Sequence, residues 1–504
     1  MMRRPAYCLA YGLAVAGLAG CTVGPDYHPP KTAVADAWVE AGTPGPVDSV
    51  WWQSFGDAEL TRLVEQALAS SPDLAEARAR LAEARANRDA TTGGRLPTVE
   101  AKGSATKNVL SKNGQIPVGQ IPGFTRDFSL FDLGFDASWE LDFWGRRTRQ
   151  VEGATARVDA ADAAQQDIML TLIAEVARSY FDLRAAQAET ATALAMADAD
   201  AETAKLTRLR LAAGEASRID ADRAGAQAKT SAGAVPGARS RAAAAAYRIA
   251  TLLGRPPEAV VPALTVPAAL PATPDAILVG VRSDLLVRRP DVRRAEREFA
   301  AATADIGAAT ADLFPRFSLF GSIGQQGRTV GDLFSGGSTR LQVGPSFSWP
   351  VFSGGTIRAQ IRGADARAQG AAARYDKAVI GALSDSESAI NGFLNARAAF
   401  ADAEAALLNE KSAFALGRQR ADRGEDDRLA LLRAQAALIT AQTRFDAAGA
   451  AKGQAAIALF KSLGGGWREV GDGSSVHPGL SRRSIGLGHQ PGTVNRAPAE
   501  RVRP

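Results

Sequence analysis

Phe131-Asp132-Leu133-Gly134-Phe135-Asp136-Ala137-Ser138-Trp139-Glu140-Leu141-Asp142-Phe143 alternates apolar and polar residues throughout. Successive side chains of a strand point to opposite faces, so this run predicts a strand with one apolar and one acidic face. A tilted membrane-spanning strand needs about 9–11 residues, which the run supplies. Leu341, Val343, Pro345, Phe347, Trp349 and Val351 repeat the pattern against Gln342, Gly344, Ser346 and Ser348. Val99, Ala101, Gly103 and Ala105 form a weaker copy, and Phe317, Leu319, Gly321 and Ile323 another. A half-buried soluble sheet would alternate in the same way. Trp139, Phe143, Trp144 and Trp349 at strand ends favour a membrane barrel, where aromatics form interfacial girdles. Four strands cannot close around a pore, and lipid does not tolerate open edges. Several chains are therefore expected to share one barrel, and three would bring twelve strands.

The strands sit inside a doubled pattern. Pro72-Asp73 and Pro290-Asp291 each precede a second proline, Pro97 or Pro315, by the same Ala-rich interval. Further along, Trp139, Gly153-Ala154, Gly214-Glu215, Arg218 and Leu253-Gly254 recur 210 residues later as Trp349, Gly363-Ala364, Gly424-Glu425, Arg428 and Leu463-Gly464. Such an offset marks an internal repeat. Each half reads helix, strand, loop, strand, very long helix, turn and returning helix. From Arg146 to Ala213 there is no proline and a single glycine, Gly153. Met169, Ile173, Val176, Tyr180 and Leu183 follow coiled-coil spacing there. A helix of that length spans roughly 100 Å, as does its counterpart from Arg358 to Arg423. Such lengths suit a tube or a tether, not a compact domain.

The start of the chain indicates its compartment. Arg3 and Arg4, an apolar run to Gly20, and small residues before Cys21 form a secretory leader, too short to span a membrane. Leu18-Ala19-Gly20-Cys21 resembles a bacterial lipobox, which implies acylation of Cys21. Thr22 at the following position implies sorting to the outer membrane. Apart from Cys21, the 504-residue chain has one cysteine, Cys8, within the leader. No disulfide, thiolate metal site or cysteine nucleophile is then expected in the mature protein. His28, His477 and His489 lie in Pro- or Gly-rich terminal stretches, which argues against a histidine site. No phosphate loop or nucleophile–base pair is evident, so neither catalysis nor a cofactor is expected. The net charge is +5, with signs interspersed, which does not suggest a nucleic-acid partner. No internal stretch of 18 apolar residues occurs.

The chain resembles the outer-membrane efflux factors of the TolC/OprM type, especially NodT-like lipoproteins. The resemblance runs from about Cys21 to Gly465. It rests on Cys21-Thr22-Val23-Gly24-Pro25-Asp26-Tyr27, Trp51-Trp52 with Phe55, Pro72-Asp73-Leu74, Trp139-Glu140-Leu141-Asp142 and Leu253-Gly254-Arg255-Pro256. It implies a homotrimer with a twelve-stranded barrel and an α-helical periplasmic tunnel. It further implies docking to a periplasmic adaptor (a membrane fusion protein) and an inner-membrane pump, commonly of the resistance-nodulation-division class. The expected class is thus an α+β membrane protein. Its expected segments are a leader (1–20), a lipidated extended segment (21–56), two repeats (57–265 and 266–469) and a disordered basic tail (470–504).

A passive exit duct for small molecules such as drugs is the leading expectation. A protein-secretion channel and a coiled-coil envelope tether are the alternatives. Asp132, Asp136, Glu140 and Asp142 are expected to line the barrel lumen and favour cations. Gly214, Glu215, Gly424 and Glu425 mark the helical tips, where an adaptor would dock. Family members often carry acidic residues six and nine positions beyond each tip glycine. Here only Asp220 matches; Arg223, Ala430 and Arg433 depart from the pattern. Asp220 is expected to pair with Arg423 or Arg428, within or between chains, and hold the entrance closed.

Overall fold

A computed structural model of the chain describes residues 22–30, 34–35, 37–40, 42–111 and 125–466. The leader, Cys21, the loop residues 112–124 and the tail from 470 lie outside the described residues. Four strands form one antiparallel sheet in chain order: β1 (Thr98–Val109), β2 (Asp127–Leu141), β3 (Arg316–Gly327) and β4 (Thr339–Ser348). Pro97 and Pro315 stand just before β1 and β3, where a missing N–H costs no ladder bond. β2 begins four residues earlier than the alternation suggests and stops at Leu141.

The register gives the sheet its two faces. Paired residues always share parity, as in Gly103 with Leu133, Leu133 with Gln325 and Ile323 with Leu341. Val99, Phe135, Trp139, Leu319, Val343 and Phe347 therefore gather on one face. Lys102, Asp132, Asp136, Ser322, Gln326 and Arg340 gather on the other. A one-residue slip in any pair would mix them. The apolar face is uncovered within one chain: Phe347 is 70 % exposed and Val343 76 %. β1 and β4 each pair on one side only, so the sheet has two open edges.

The described α-helices attach at one end of the sheet, where Thr98 faces Ser138 and Arg316 faces Ser348. They are α1 (Ala58–Ser70), α2 (Pro72–Gly93), α3 (Arg146–Ala212), α4 (Arg218–Leu252), α5 (Pro257–Leu264), α6 (Asp284–Arg288), α7 (Pro290–Ala311), α8 (Thr356–Asp422) and α9 (Arg428–Ser462). α3 and α8 have 67 residues each, and α4 and α9 have 35 each. α2 and α7 have 22 each. α5 and α6, between Leu253-Gly254 and Pro290, follow no periodicity noted in the sequence.

The core lies midway along the long helices. Ile173, Val176, Tyr180 and Leu183 of α3 are buried there, as their spacing predicted. Trp51 and Phe55, from a 3-10 turn at Trp51–Phe55, close its base. Trp51 stacks on Phe460 with ring centroids 5.1 Å apart. Its indole N–H donates to the Gly465 carbonyl at 3.2 Å. Tyr180 donates to the Asp57 carboxylate, and burial pushes its phenol up to about 12. Residues from 57–265 and 266–469 thus share one sheet and one core.

The N-terminal segment straps this body. Val23 N–H donates to the Trp144 carbonyl at 3.2 Å, just beyond β2. Further on, the Glu387 carboxylate accepts from the N–H groups of Val39 and Glu40 at 3.0 and 3.2 Å. Trp38 donates its indole N–H to the Gly280 carbonyl at 3.1 Å.

Candidate functional site

The residues singled out in the sequence fall in two regions: the polar face of the sheet and the tips of the helical hairpins. On the sheet, every expected lumen carboxylate has a partner. Asp132 accepts from Arg340 Nε at 2.9 Å and Nη2 at 2.7 Å, and from Gln326 Nε2 at 2.8 Å. Asp136 accepts from Ser322 Oγ at 2.7 Å and pairs with Lys102 Nζ at 3.0 Å. Glu140 is held by Arg147 Nη2 at 2.7 Å and Arg146 Nη1 at 3.3 Å.

Asp142 is a correction. It lies past the end of β2 and accepts from the N–H groups of Arg147 at 3.0 Å and Thr148 at 2.7 Å. It therefore caps α3, where unsatisfied backbone donors favour a carboxylate, and leaves the strand's polar row. The other three carboxylates stay in that row, each beside a basic partner. Basic side chains of β1, β4 and α3 answer Asp132, Asp136 and Glu140.

At the helix-bearing end of the sheet, two tryptophans anchor in the same way. Trp139 donates its indole N–H to the Arg95 carbonyl at 2.9 Å, and Trp349 donates to Leu313 at 3.1 Å. Trp144 stacks on Phe314 with centroids 4.7 Å apart. Each ring keeps its polar edge satisfied while its apolar body stays at the sheet margin, as an interfacial aromatic requires.

The tips form where α3 turns into α4 and α8 turns into α9. Gly214 and Gly424 adopt φ of +79° and +75°, which glycine reaches without strain. Glu215 N–H bonds back to the Arg210 carbonyl at 2.8 Å, and Glu425 N–H to Arg420 at 2.9 Å. Both tips are thus the same helix-ending motif. Ser217 and Asp427 then cap the returning helices.

The expected pairing of Asp220 with Arg423 or Arg428 does not form within one chain. Asp220 accepts from Ser217 Oγ at 2.7 Å, while Ser217 Oγ accepts from Asp220 N–H at 3.1 Å, a capping box. That hydroxyl holds the Asp220 carboxyl below the usual carboxylate range. Arg423 turns to Glu425 at 3.1 Å. Arg428 lines an open groove between the tips with Arg210, Glu215 and Asp427.

The ion pair that crosses between the two hairpins is Arg210 Nη1 with Asp427 Oδ2, at 3.6 Å. Sequence reasoning missed both residues. A signal was present: Arg210 and Arg420 each stand four positions before a tip glycine, at the repeat offset. No cluster of ligands able to hold a metal occurs among the described residues, and no helix there is long and apolar enough to cross a membrane.

Known proteins share this architecture. The chain is 32% identical over 376 residues to "Nodulation protein T" of Rhizobium leguminosarum bv. trifolii, covering 74% of this chain and 79% of that protein. It is 30% identical to "Outer membrane protein OprJ" of Pseudomonas aeruginosa, covering 95% of this chain and 99% of the relative. The solved outer-membrane channel OprN superposes with a TM-score of 0.79 at 38% identity, over 89% of this chain and all of that one. Residues 63–255 and 281–465 match the family described as "Outer membrane efflux protein". With the sheet, the long hairpins and most of the sequence in agreement, the chain belongs to the outer membrane efflux protein family.

Proposed function

We propose that this protein is the passive outer-membrane exit duct of a tripartite efflux system that exports small molecules. The observation that carries this reading is the four-stranded sheet. One of its faces is apolar and uncovered, and its two lateral edges are open. A lipid-exposed sheet must leave no backbone edge unpaired, so β1 of one chain meets β4 of the next. Three chains then close a twelve-stranded barrel. The apolar face meets lipid, because lipid-facing carboxylates are costly, and the polar face lines the lumen. The two halves of each chain are structural repeats, with α2, β1, α3 and α4 corresponding to α7, β3, α8 and α9.

The helices extend from the periplasmic end as a tunnel. Their tips, at Gly214-Glu215 and Gly424-Glu425, are farthest from the membrane and form the docking surface for a periplasmic adaptor linked to an inner-membrane pump. The same tips form the gate, where Asp220 of one chain can meet Arg423 or Arg428 of another and Arg210–Asp427 ties the hairpins. Cys21 carries the lipid that assists outer-membrane sorting.

Reconstitution of the purified oligomer in planar bilayers tests the reading, alongside drug susceptibility of a strain lacking the chain. Discrete conductance steps and restored resistance are expected. A tether would give neither. For the gate, Asp220→Ala is expected to raise single-channel conductance and antibiotic leak. Unchanged values would remove Asp220 from the gate.

A further inference from the structure

The polar face of the sheet carries a cross-strand charge network. Arg340 of β4 reaches Asp132 of β2 across the whole width of β3. The path is open because Gly324 stands opposite Arg340 in the β3–β4 register and opposite Gly134 in the β2–β3 register. A Cβ on Gly324 would lie 2.7 Å from the Leu133 carbonyl oxygen, 3.0 Å from Gly134 Cα and 3.3 Å from Arg340 Nη2. Two facing glycines thus form a trough in which the guanidinium lies.

Its fork meets both Asp132 oxygens, at 2.9 and 2.7 Å, and its remaining nitrogen donates to Ser322 Oγ. Ser322 in turn donates to Asp136 at 2.7 Å. Lys102 reaches Asp136 from β1 at 3.0 Å and Glu100 at 3.6 Å. All four strands therefore contribute to one belt. Asp132 and Asp136 are matched by Arg340 and Lys102, and Glu100 adds the one remaining carboxylate.

We propose that Arg340 and Lys102 are selectivity-determining residues of the barrel. They answer Asp132 and Asp136, so the barrel passes solutes of either charge with only a weak cation bias. This rests on the reading of the chain as a trimeric channel whose polar face lines the lumen. The effect of one side chain is multiplied by symmetry. Loss of Arg340 uncovers Asp132 in all three chains at one level of the pore. A ring of like charges facing a water-filled lumen raises the local concentration of counter-ions. A duct that must release chemically varied solutes benefits from a wall that neither traps cations nor repels anions.

The test is the reversal potential of the oligomer in a planar bilayer under a potassium chloride gradient. The dilute side is held near 0.1 M, where screening extends over about 10 Å. Wild type is expected to show a weak cation preference. Arg340→Gln and Lys102→Gln should each raise the potassium-to-chloride permeability ratio by roughly threefold or more. Asp132→Asn should lower it, and Arg340→Gln with Asp132→Asn should return it to the wild-type value. If Arg340→Gln fails to assemble, as judged by size-exclusion chromatography, Lys102→Gln and the charge-neutral double variant carry the test. A conducting channel whose ratio is the same in every variant would overturn the proposal and reduce the belt to sheet stabilisation. Absence of conductance in wild type itself would instead overturn the channel reading.

Discussion

Gly24 lies against Gly307 so closely that a Cβ on Gly24 would stand 2.4 Å from the Gly307 Cα. The N-terminal segment meets α7 there through backbone alone. Gly24 has φ of +91°, a conformation that side chains disfavour. Gly24→Ala is therefore expected to lift the strap and cost about 1–3 kcal/mol. Gly307→Ala should be milder, because Gly307 is helical and its Cβ would meet a side chain, the buried Arg149 at 2.8 Å, and not backbone. Limited proteolysis between residues 22 and 30, compared with wild type, checks the order.

Phe181 occupies the space that any side chain at 453 would need. A Cβ on Gly453 would fall 2.0 Å from Phe181 Cε1, and Phe181 packs edge-on against Phe55 with centroids 5.2 Å apart. Gly453→Ala is expected to destabilise the core by roughly 1–3 kcal/mol. Combining it with Phe181→Leu should cost less than the sum of the two changes, since neighbours couple. Thermal unfolding of the three variants measures this.

Ser217 and Asp220 cap α4 by exchanging hydrogen bonds. Ser217→Ala is expected to cost about 1 kcal/mol of local helix stability. Amide exchange should quicken in the first turn of α4 and stay unchanged in α9, whose cap is Asp427. The same variant keeps the Asp220 charge, so its conductance separates capping from gating.

Burial raises the Asp167 carboxyl above its ordinary value, and Asp291 adds to this against Arg294, Lys461 and Arg289. Folding thus favours its protonated form. That contribution is fully present below the ordinary value of 3.8 and is lost as pH rises through the folded value. Asp167→Asn should therefore stabilise the protein near pH 7. The gain should shrink toward zero at about pH 2.5, well below the ordinary value, where the carboxyl is protonated folded or unfolded. Denaturant midpoints at the two pH values check the sign.

Cys21→Ser should abolish incorporation of radioactive fatty acid and reduce the fraction reaching the outer membrane. Conductance of the purified variant should remain, because the proposed barrel would supply its own membrane attachment. Persistent labelling would place the lipid elsewhere.

Much of this architecture is written locally in the chain. Period-two alternation marked Phe131 to Leu141 as strand, since a pleated backbone sends neighbours to opposite faces. The proline-free stretches marked α3 and α8, and Gly214 and Gly424 marked their ends, because backbone geometry depends on nearby residues. The reading erred where one element hands over to the next. Asp142 continues the alternation by sequence, yet its carboxylate serves the first amides of α3. Within one chain Asp220 and Arg423 do not meet, because each has a nearer partner in Ser217 and Glu425.

What only the tertiary structure decided is who neutralises whom. Asp132 and Arg340 are 208 residues apart and meet only because two strand registers agree and Gly134 and Gly324 leave a gap between them. The same holds for Arg210 and Asp427, brought together by two hairpins of matched length. Periodicity reports which face a side chain takes. Register and helix length, fixed by packing across the whole chain, determine which side chain it faces there.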